Sequence, residues 1–332
     1  MLSFLPPLAR GVIAATLLGL NSCFWCTLLF AVAIVKLIVP LAGVRTVTDR
    51  VLNSIAMGWI ACNSGWMRLT QDTQWDVAGF EELDFQGWYM VNCNHQSWVD
   101  ILVLQHLLNR RIPLLKFFLK QQLIYVPVMG LAWWALDFPF MRRHSEAYLK
   151  RHPERRFDDL EATRRACEKF GRVPTSVMNF AEGTRFTKQK HRAQRSPYRH
   201  LLKPKAGALA LALSVLGDKF RWFLDVTIVY PAGAPTFWQF LCGRIPQVIV
   251  RARRLPVPSD LLAGDYARDA KFRKRFQHWL QALWEEKDRQ IDALLRPGGA
   301  TPTSAMGGSS PAGSPLSTAP CPARPAADEL IE

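Results

Sequence analysis

From Gly11 to Val35 the chain carries no charged residue, and beyond Lys36 it stays apolar as far as Val44. At about 1.5 Å per helical residue, such a run can cross a hydrocarbon layer of ~30 Å. It is too long for the apolar part of a cleaved signal peptide, and only Arg10 precedes it. Lys36, Arg45 and Arg50, opposed by Asp49, form a loose positive cluster at its far end, which by the positive-inside rule keeps that side cytoplasmic. A second uncharged stretch, Val51 to Met67, is interrupted by Asn53, Asn63, Ser64 and Gly65. It suits the membrane interface, with Trp59 and Trp66 as amphipathic rings at that depth. A buried hairpin of core helices is the other reading. Cys23 and Cys26 form a CxxC inside the apolar run with no second pair, and packing explains them.

The rest of the chain reads differently. Trp88–Val91, Thr175–Phe180, Trp222–Tyr230 and Val248–Ala252 are expected strands; Trp98–Leu108, Glu154–Phe170 and Lys205–Leu216 are expected helices. Strands alternating with helices predict an α/β domain, a largely parallel central sheet flanked by helices, preceded by the membrane-embedded helical segment. Tyr125–Met141 is apolar but broken by Pro127, Gly130 and Pro139, and suits a buried or membrane-dipping segment. Tyr266–Leu295 places Phe272, Phe276, Trp279, Leu280, Leu283 and Trp284 at helical spacing, which predicts an amphipathic helix docked on the core. Beyond Arg296, a stretch rich in Pro, Gly, Ser, Ala and Thr is expected to be a disordered tail. Three regions follow: 1–70 as a membrane-anchoring helical region, 71–296 as the α/β domain with its C-terminal helix, and 297–332 as the tail.

Apolar residues make up 49% of the 332, ample for a core, and the formal net charge of +15 suits an acidic partner. A nucleic acid is a poor match, because the aromatic residues cluster in apolar segments instead of alternating with basic ones. Seven cysteines, scattered and odd in number, imply no disulfide framework.

The stretch VNCNHQSWVD, from Val91 to Asp100, follows one of the expected strands. Ser97-Trp98-Val99-Asp100 has the pattern of a capping box, so Asp100 could simply serve the end of a helix. The same residues suit chemistry. On one continuous helix His95 and Asp100 would point ~140° apart. With His95 in the loop and Asp100 in the first helical turn, they can meet. A carboxylate on one ring nitrogen sets the tautomer and leaves the other free to accept a proton. No serine or cysteine nucleophile accompanies them, so the proton would come from a substrate hydroxyl. A second constellation, NFAEGTR from Asn179 to Arg185, offers a glycine turn and an arginine fork suited to phosphate; a β-turn with a surface ion pair is the plainer reading. A third, FPFMRR from Phe138 to Arg143, ends an apolar run with two arginines.

Taken together and in this order, these elements resemble the glycerophospholipid acyltransferases, the lysophosphatidic acid acyltransferases and their relatives. Asn94, His95 and Asp100 match the family's NHxxxxD motif. Phe180, Glu182, Gly183, Thr184 and Arg185 match FPEGTR, with Ala181 in place of its proline. Phe140, Met141 and Arg143 fit the second motif without a clear upstream glycine, and VTIVYP from Val226 to Pro231 fits the fourth loosely. The resemblance covers roughly residues 70 to 254, and a bacterial inner-membrane branch is the best match.

The resemblance implies His95 as general base and Asp100 as its orienting partner. Arg143, Glu182, Gly183, Thr184 and Arg185 would bind the acceptor. The reaction implied is acyl transfer from acyl-CoA or acyl carrier protein to the hydroxyl of 1-acylglycerol-3-phosphate, giving phosphatidic acid, with the catalytic domain facing the cytoplasm. The thioester is a co-substrate; no further cofactor and no metal are expected, since no ligand cluster has metal spacing. The basic stretch from Lys188 to Lys205 could meet anionic lipid headgroups, CoA phosphates or acyl carrier protein. An acyltransferase that remodels another lysophospholipid is the alternative, and a lipid-binding pseudoenzyme a more distant one. Oligomeric state is not legible.

Overall fold

The computed structural model describes residues 2–39, 41–141, 151, 173–217, 219–220, 222–262, 264–266 and 268–296. The expected helix Glu154–Phe170, Arg143 and the expected tail 297–332 lie outside the described residues.

The apolar run forms α1 (Pro7–Ile38), opened by a proline in its first turn, where a missing amide costs nothing. Pro40 falls before α2 (Ala42–Thr70), which starts well ahead of the expected Val51 and carries Arg45, Asp49 and Arg50 within it. The two helices run antiparallel. Gly58 allows their close approach, since a Cβ there would fall 2.4 Å from the Trp25 ring. Polar side chains inside this apolar pair meet across it: Asn21 Nδ2 donates to Asn63 Oδ1 (2.8 Å) and to Trp59 O (3.0 Å). Lys36 is not a free flanking charge. It pairs with Asp49 of α2 at 2.8 Å and with Asp137 of the α/β domain at 2.6 Å. The expected opposition by Asp49 is thus joined by a second carboxylate from the domain.

The domain is built on β1 (Gln74–Ala78), β2 (Tyr89–Cys93), α3 (Val99–Leu108), β3 (Leu115–Phe117), β4 (Leu119–Lys120), α4 (Met129–Ala135), β5 (Phe140–Met141) and β6 (Ser176–Phe180). It continues through α5 (Lys188–Gln194), α6 (Gly207–Leu216), β7 (Trp222–Val229), α7 (Phe237–Leu241), β8 (Gln247–Pro256) and α8 (Ala270–Leu294). Six strands form one sheet in the order β1-β8-β7-β2-β6-β3, and β4 pairs with β5 apart from it. Every pairing in the large sheet is parallel except β7 with β8.

Both faces of the sheet are covered, which is why its central strands read as near-continuous apolar runs. Tyr89, Val91 and Cys93 of β2 pack with α3 and the α1–α2 hairpin. Met90 of the same strand packs with α6 and α8, so successive residues serve opposite cores. β1 and β3 were not expected from the sequence. β1 is a half-exposed edge strand with mixed residues, and β3 is only three residues long. The Tyr125–Met141 segment splits its faces, with Ala132 and Ala135 buried and Tyr125 82% exposed.

Candidate active site

The register Cys93↔Phe180 sets the carboxyl ends of β2 and β6 side by side, so the loops holding His95 and Glu182 leave the sheet together. In open α/β sheets this end is where ligands bind. Asn94 fastens the first loop to the neighbouring strand. Its Nδ2 donates to Ile228 O (2.8 Å) and its Oδ1 accepts from Ile228 N (2.9 Å).

His95 Nδ1 lies 2.9 Å from Asp100 Oδ2. The same oxygen accepts from Gln96 N (2.6 Å) and Ser97 N (2.9 Å), while Oδ1 accepts from Tyr230 Oη (2.7 Å). Asp100 is fully buried. The helix-end reading and the chemical one therefore hold together, since one carboxylate caps the loop amides and orients the histidine. An ionised carboxylate only accepts, so Nδ1 carries the proton and Nε2 is left with its lone pair. The ring stacks on Phe180 with centroids 3.9 Å apart and planes 15° from parallel. Burial, first, and then the neighbouring Asp100 push the Tyr230 hydroxyl well above its ordinary range, so it stays a donor.

The second loop braces the first from behind. Glu182 is fully buried, and its Oε1 accepts from His95 N (2.9 Å) while Oε2 accepts from Leu202 N (3.0 Å). It supports the His95 backbone and has no surface to offer a substrate. Burial pushes its carboxyl up to about 8. Gly183 sits at φ +70°, where an L side chain is strained, and its amide closes the turn on Phe180 O (2.8 Å). Ala181, where the motif has proline, is held by Lys205 N donating to its carbonyl (2.7 Å). Thr184 Oγ1 accepts from Lys190 Nζ (2.7 Å), and the Arg185 guanidinium stands 4.9 Å over the half-exposed Trp98 ring. Arg143 lies outside the described residues.

Sequence reasoning missed Tyr230, Phe180 as the ring under the histidine, and Lys190. Tyr230 had a signal, as the polar-tipped residue at the end of the VTIVYP stretch. Lys116 was missed too: it is a lone lysine in the apolar run PLLKFF, buried on β3, and burial lowers its ammonium to about 8. A mostly apolar pocket enclosing ≈ 470 Å³, open-mouthed space included, lies between the hairpin and the domain. Trp25, Trp59, Met129 and Trp133 are among its lining residues, and none of the loop residues above is. Among the described residues, no three His, Cys, Asp or Glu side chains are grouped to hold a metal ion.

The acyltransferase family model matches residues 74–233. Human 1-acyl-sn-glycerol-3-phosphate acyltransferase gamma is 28% identical over 184 residues, covering 52% of this chain and 44% of the human protein. The human delta enzyme is 26% identical over 231 residues, covering 63% of this chain and 53% of its own length. The chain thus spans about half the length of the curated relatives it matches. The crystal structure of the 1-acyl-sn-glycerophosphate (LPA) acyltransferase PlsC from Thermotoga maritima superposes with a TM-score of 0.51 at 15% identity, covering 86% of this chain and 98% of that one. That likeness concerns the fold. With the motif geometry, the matched family model and these relatives support the glycerophospholipid acyltransferase family for this chain.

Proposed function

We propose that the chain is a membrane-bound O-acyltransferase that moves a fatty acyl group from a thioester to the free hydroxyl of 1-acylglycerol-3-phosphate. The observation that carries this reading is the 2.9 Å contact between His95 Nδ1 and the buried Asp100, which leaves Nε2 as a base at the carboxyl end of the sheet. Nε2 takes the acceptor's hydroxyl proton as its oxygen attacks the thioester carbonyl. The C–O bond forms, the tetrahedral intermediate collapses, the C–S bond breaks, and the thiolate leaves with the proton returned from His95. Arg185, and Arg143 with it, would hold the acceptor's phosphate; Gly183 and Thr184 shape the turn that presents Arg185, and Glu182 holds the base's backbone. The donor is acyl-CoA or acyl carrier protein, and the apolar pocket between hairpin and domain suits a fatty chain.

The hairpin supports a membrane location. α1 is long and apolar enough to cross a bilayer, and Leu20 and Phe24 on its outer side are 63% and 59% exposed. Yet both ends of α1 touch the domain: Gly11 abuts Cys242 and Trp238, and Lys36 pairs with Asp137. Those points are roughly 37 Å apart at 1.5 Å per residue. An upright crossing of a ~30 Å core would carry one edge of the domain through the hydrocarbon. We infer that the hairpin lies along one leaflet, with the domain on the cytoplasmic face of a bacterial inner membrane.

The test is acyl transfer from oleoyl-CoA to lysophosphatidic acid in membranes, for the wild type and His95→Ala. Phosphatidic acid formed by the wild type and abolished in a folded, membrane-bound variant is the expected result. Turnover that survives the substitution would refute the base. Transfer only to other lysophospholipids would refute the acceptor.

A further inference from the structure

Trp284, Lys287 and Asp288 stand at i, i+3 and i+4 of the C-terminal helix, so one face presents all three. Each reaches a part of the chain that supports the His95 loop. Trp284 Nε1 donates to Leu202 O (3.0 Å), and Leu202 is the residue whose amide holds Glu182. Asp288 accepts from the amides of Arg199 and His200 at 2.8 Å each, fixing the turn that leads into Leu202. Lys287 goes deepest. It is fully buried, donates to Val226 O (2.6 Å) and Thr227 Oγ1 (3.0 Å), and pairs with Asp225 Oδ1 at 3.0 Å. These three partners directly precede Ile228, the residue that clamps Asn94 through both its backbone groups.

We propose that Lys287 is a positioning residue for the catalytic loop, pinning β7 beside the Asn94 clamp. A buried ammonium persists only where its protons are taken and its charge is answered, and both conditions are met here. Asp225 answers it, and also binds Arg253 Nη2 of β8 (2.7 Å) and Asn92 Nδ2 of β2 (3.0 Å). Two strands of the sheet and α8 are thereby joined at one carboxylate, beside the strand that leads into the His95 loop. The charge also reaches forward. Burial is the largest influence raising the Glu182 carboxyl and Asp100 adds to it, while the amides of His95 and Leu202, and after them Lys287, lower it. The helix that seemed only to close the core thus carries the two supports of the loop, β7 on one side and the Leu202 turn on the other.

The inference rests on His95 as the reactive base, and its test is read partly without turnover. The full chain in detergent micelles is compared with Lys287→Met and with the double variant Asp225→Asn/Lys287→Met. The single variant leaves Asp225 to Arg253 and Asn92, and the double variant removes both members of the buried pair, so neither strands a wholly unanswered buried charge. Hydrogen exchange followed by mass spectrometry is expected to show residues 94–98 and 199–203 losing protection while α1 and α2 keep theirs. In parallel, kcat is expected to fall about ten- to a hundredfold on folded protein, with KM for the acyl donor unchanged. Loop protection and kcat both at wild-type values in either folded variant would overturn the proposal. A wild type that shows the exchange difference but transfers no acyl group would overturn the functional reading and not this one.

Discussion

The His95 loop and the α1–α2 hairpin adjoin the same sheet and are held by opposite means. In the loop, Asn94, His95, Gln96 and Ser97 each make hydrogen bonds of 2.6–2.9 Å to a side chain or backbone group elsewhere: Asn94 donates to Ile228 O, and the other three meet the buried carboxyl groups of Asp100 and Glu182. The hairpin relies on apolar packing around Trp25 and Gly58, with a few polar contacts such as Asn21 with Asn63 and Lys36 between Asp49 and Asp137. Hydrogen bonds are directional, and apolar burial is not. The loop is therefore set to a single geometry, as the proposed proton transfer requires, while the hairpin keeps an exposed outer apolar face.

The sharpest way to break this contrast is at His95. Replacing it with alanine should reduce acyl transfer about 10²–10⁴-fold, the usual worth of a general base, with membrane binding and the melting temperature retained. A smaller loss, measured on radiolabelled product, would mean that the loop's order serves something other than proton transfer.

On the hairpin the order of effects should reverse. Leu20→Ser with Phe24→Ser removes two exposed side chains worth about 1.5 kcal/mol or more each in lipid, so partition onto anionic vesicles should weaken roughly a hundredfold. Stability in detergent should hardly change, because the outer face contributes little to the fold. Partition unchanged in a flotation assay would show that the outer face is not the membrane contact.

Between these extremes lies Gly58→Val, which forces a side chain into the Trp25 ring and should cost about 1–3 kcal/mol of stability. Thermal unfolding reads this directly, and a neutral result would show that the hairpin can slide where the loop cannot. In the loop, Tyr230→Phe leaves Asp100 Oδ1 without its donor, at about 1–3 kcal/mol, and should lower kcat more than it raises KM.

The smallest effect is one of pH. Burial raises the Glu182 carboxyl to about 8 from an ordinary 4.5, so the folded chain holds a proton that the unfolded chain releases between those values. Glu182 therefore contributes most to stability below pH 4.5, and that contribution is lost as pH rises through about 8. Melting temperatures across this window should fall less steeply in Glu182→Gln, even though glutamine turns an NH2 toward one of the two amides and lowers stability overall. An unaltered slope would show that Glu182 does not titrate there.

What the sequence determined by itself is what short-range chemistry determines. A charge-free run long enough for a membrane-crossing helix, apolar strands set between amphipathic helices, and a histidine five residues before an aspartate are all patterns of local spacing. The α/β architecture, the long first helix and the meeting of His95 with Asp100 follow from them. The folded chain decided the rest, because it depends on residues far apart in sequence. Tyr230 reaches Asp100 from 130 residues away, and Glu182 reaches the His95 amide from 87. The edge strands β1 and β3 are too short or too mixed to carry a period of their own, and exist because a neighbouring strand offers them partners. Lys287 looked like one more charge on an amphipathic helix. Only the packing of α8 on β7 turned it inward, because burying a lysine is tolerable solely where distant acceptors have already been brought together.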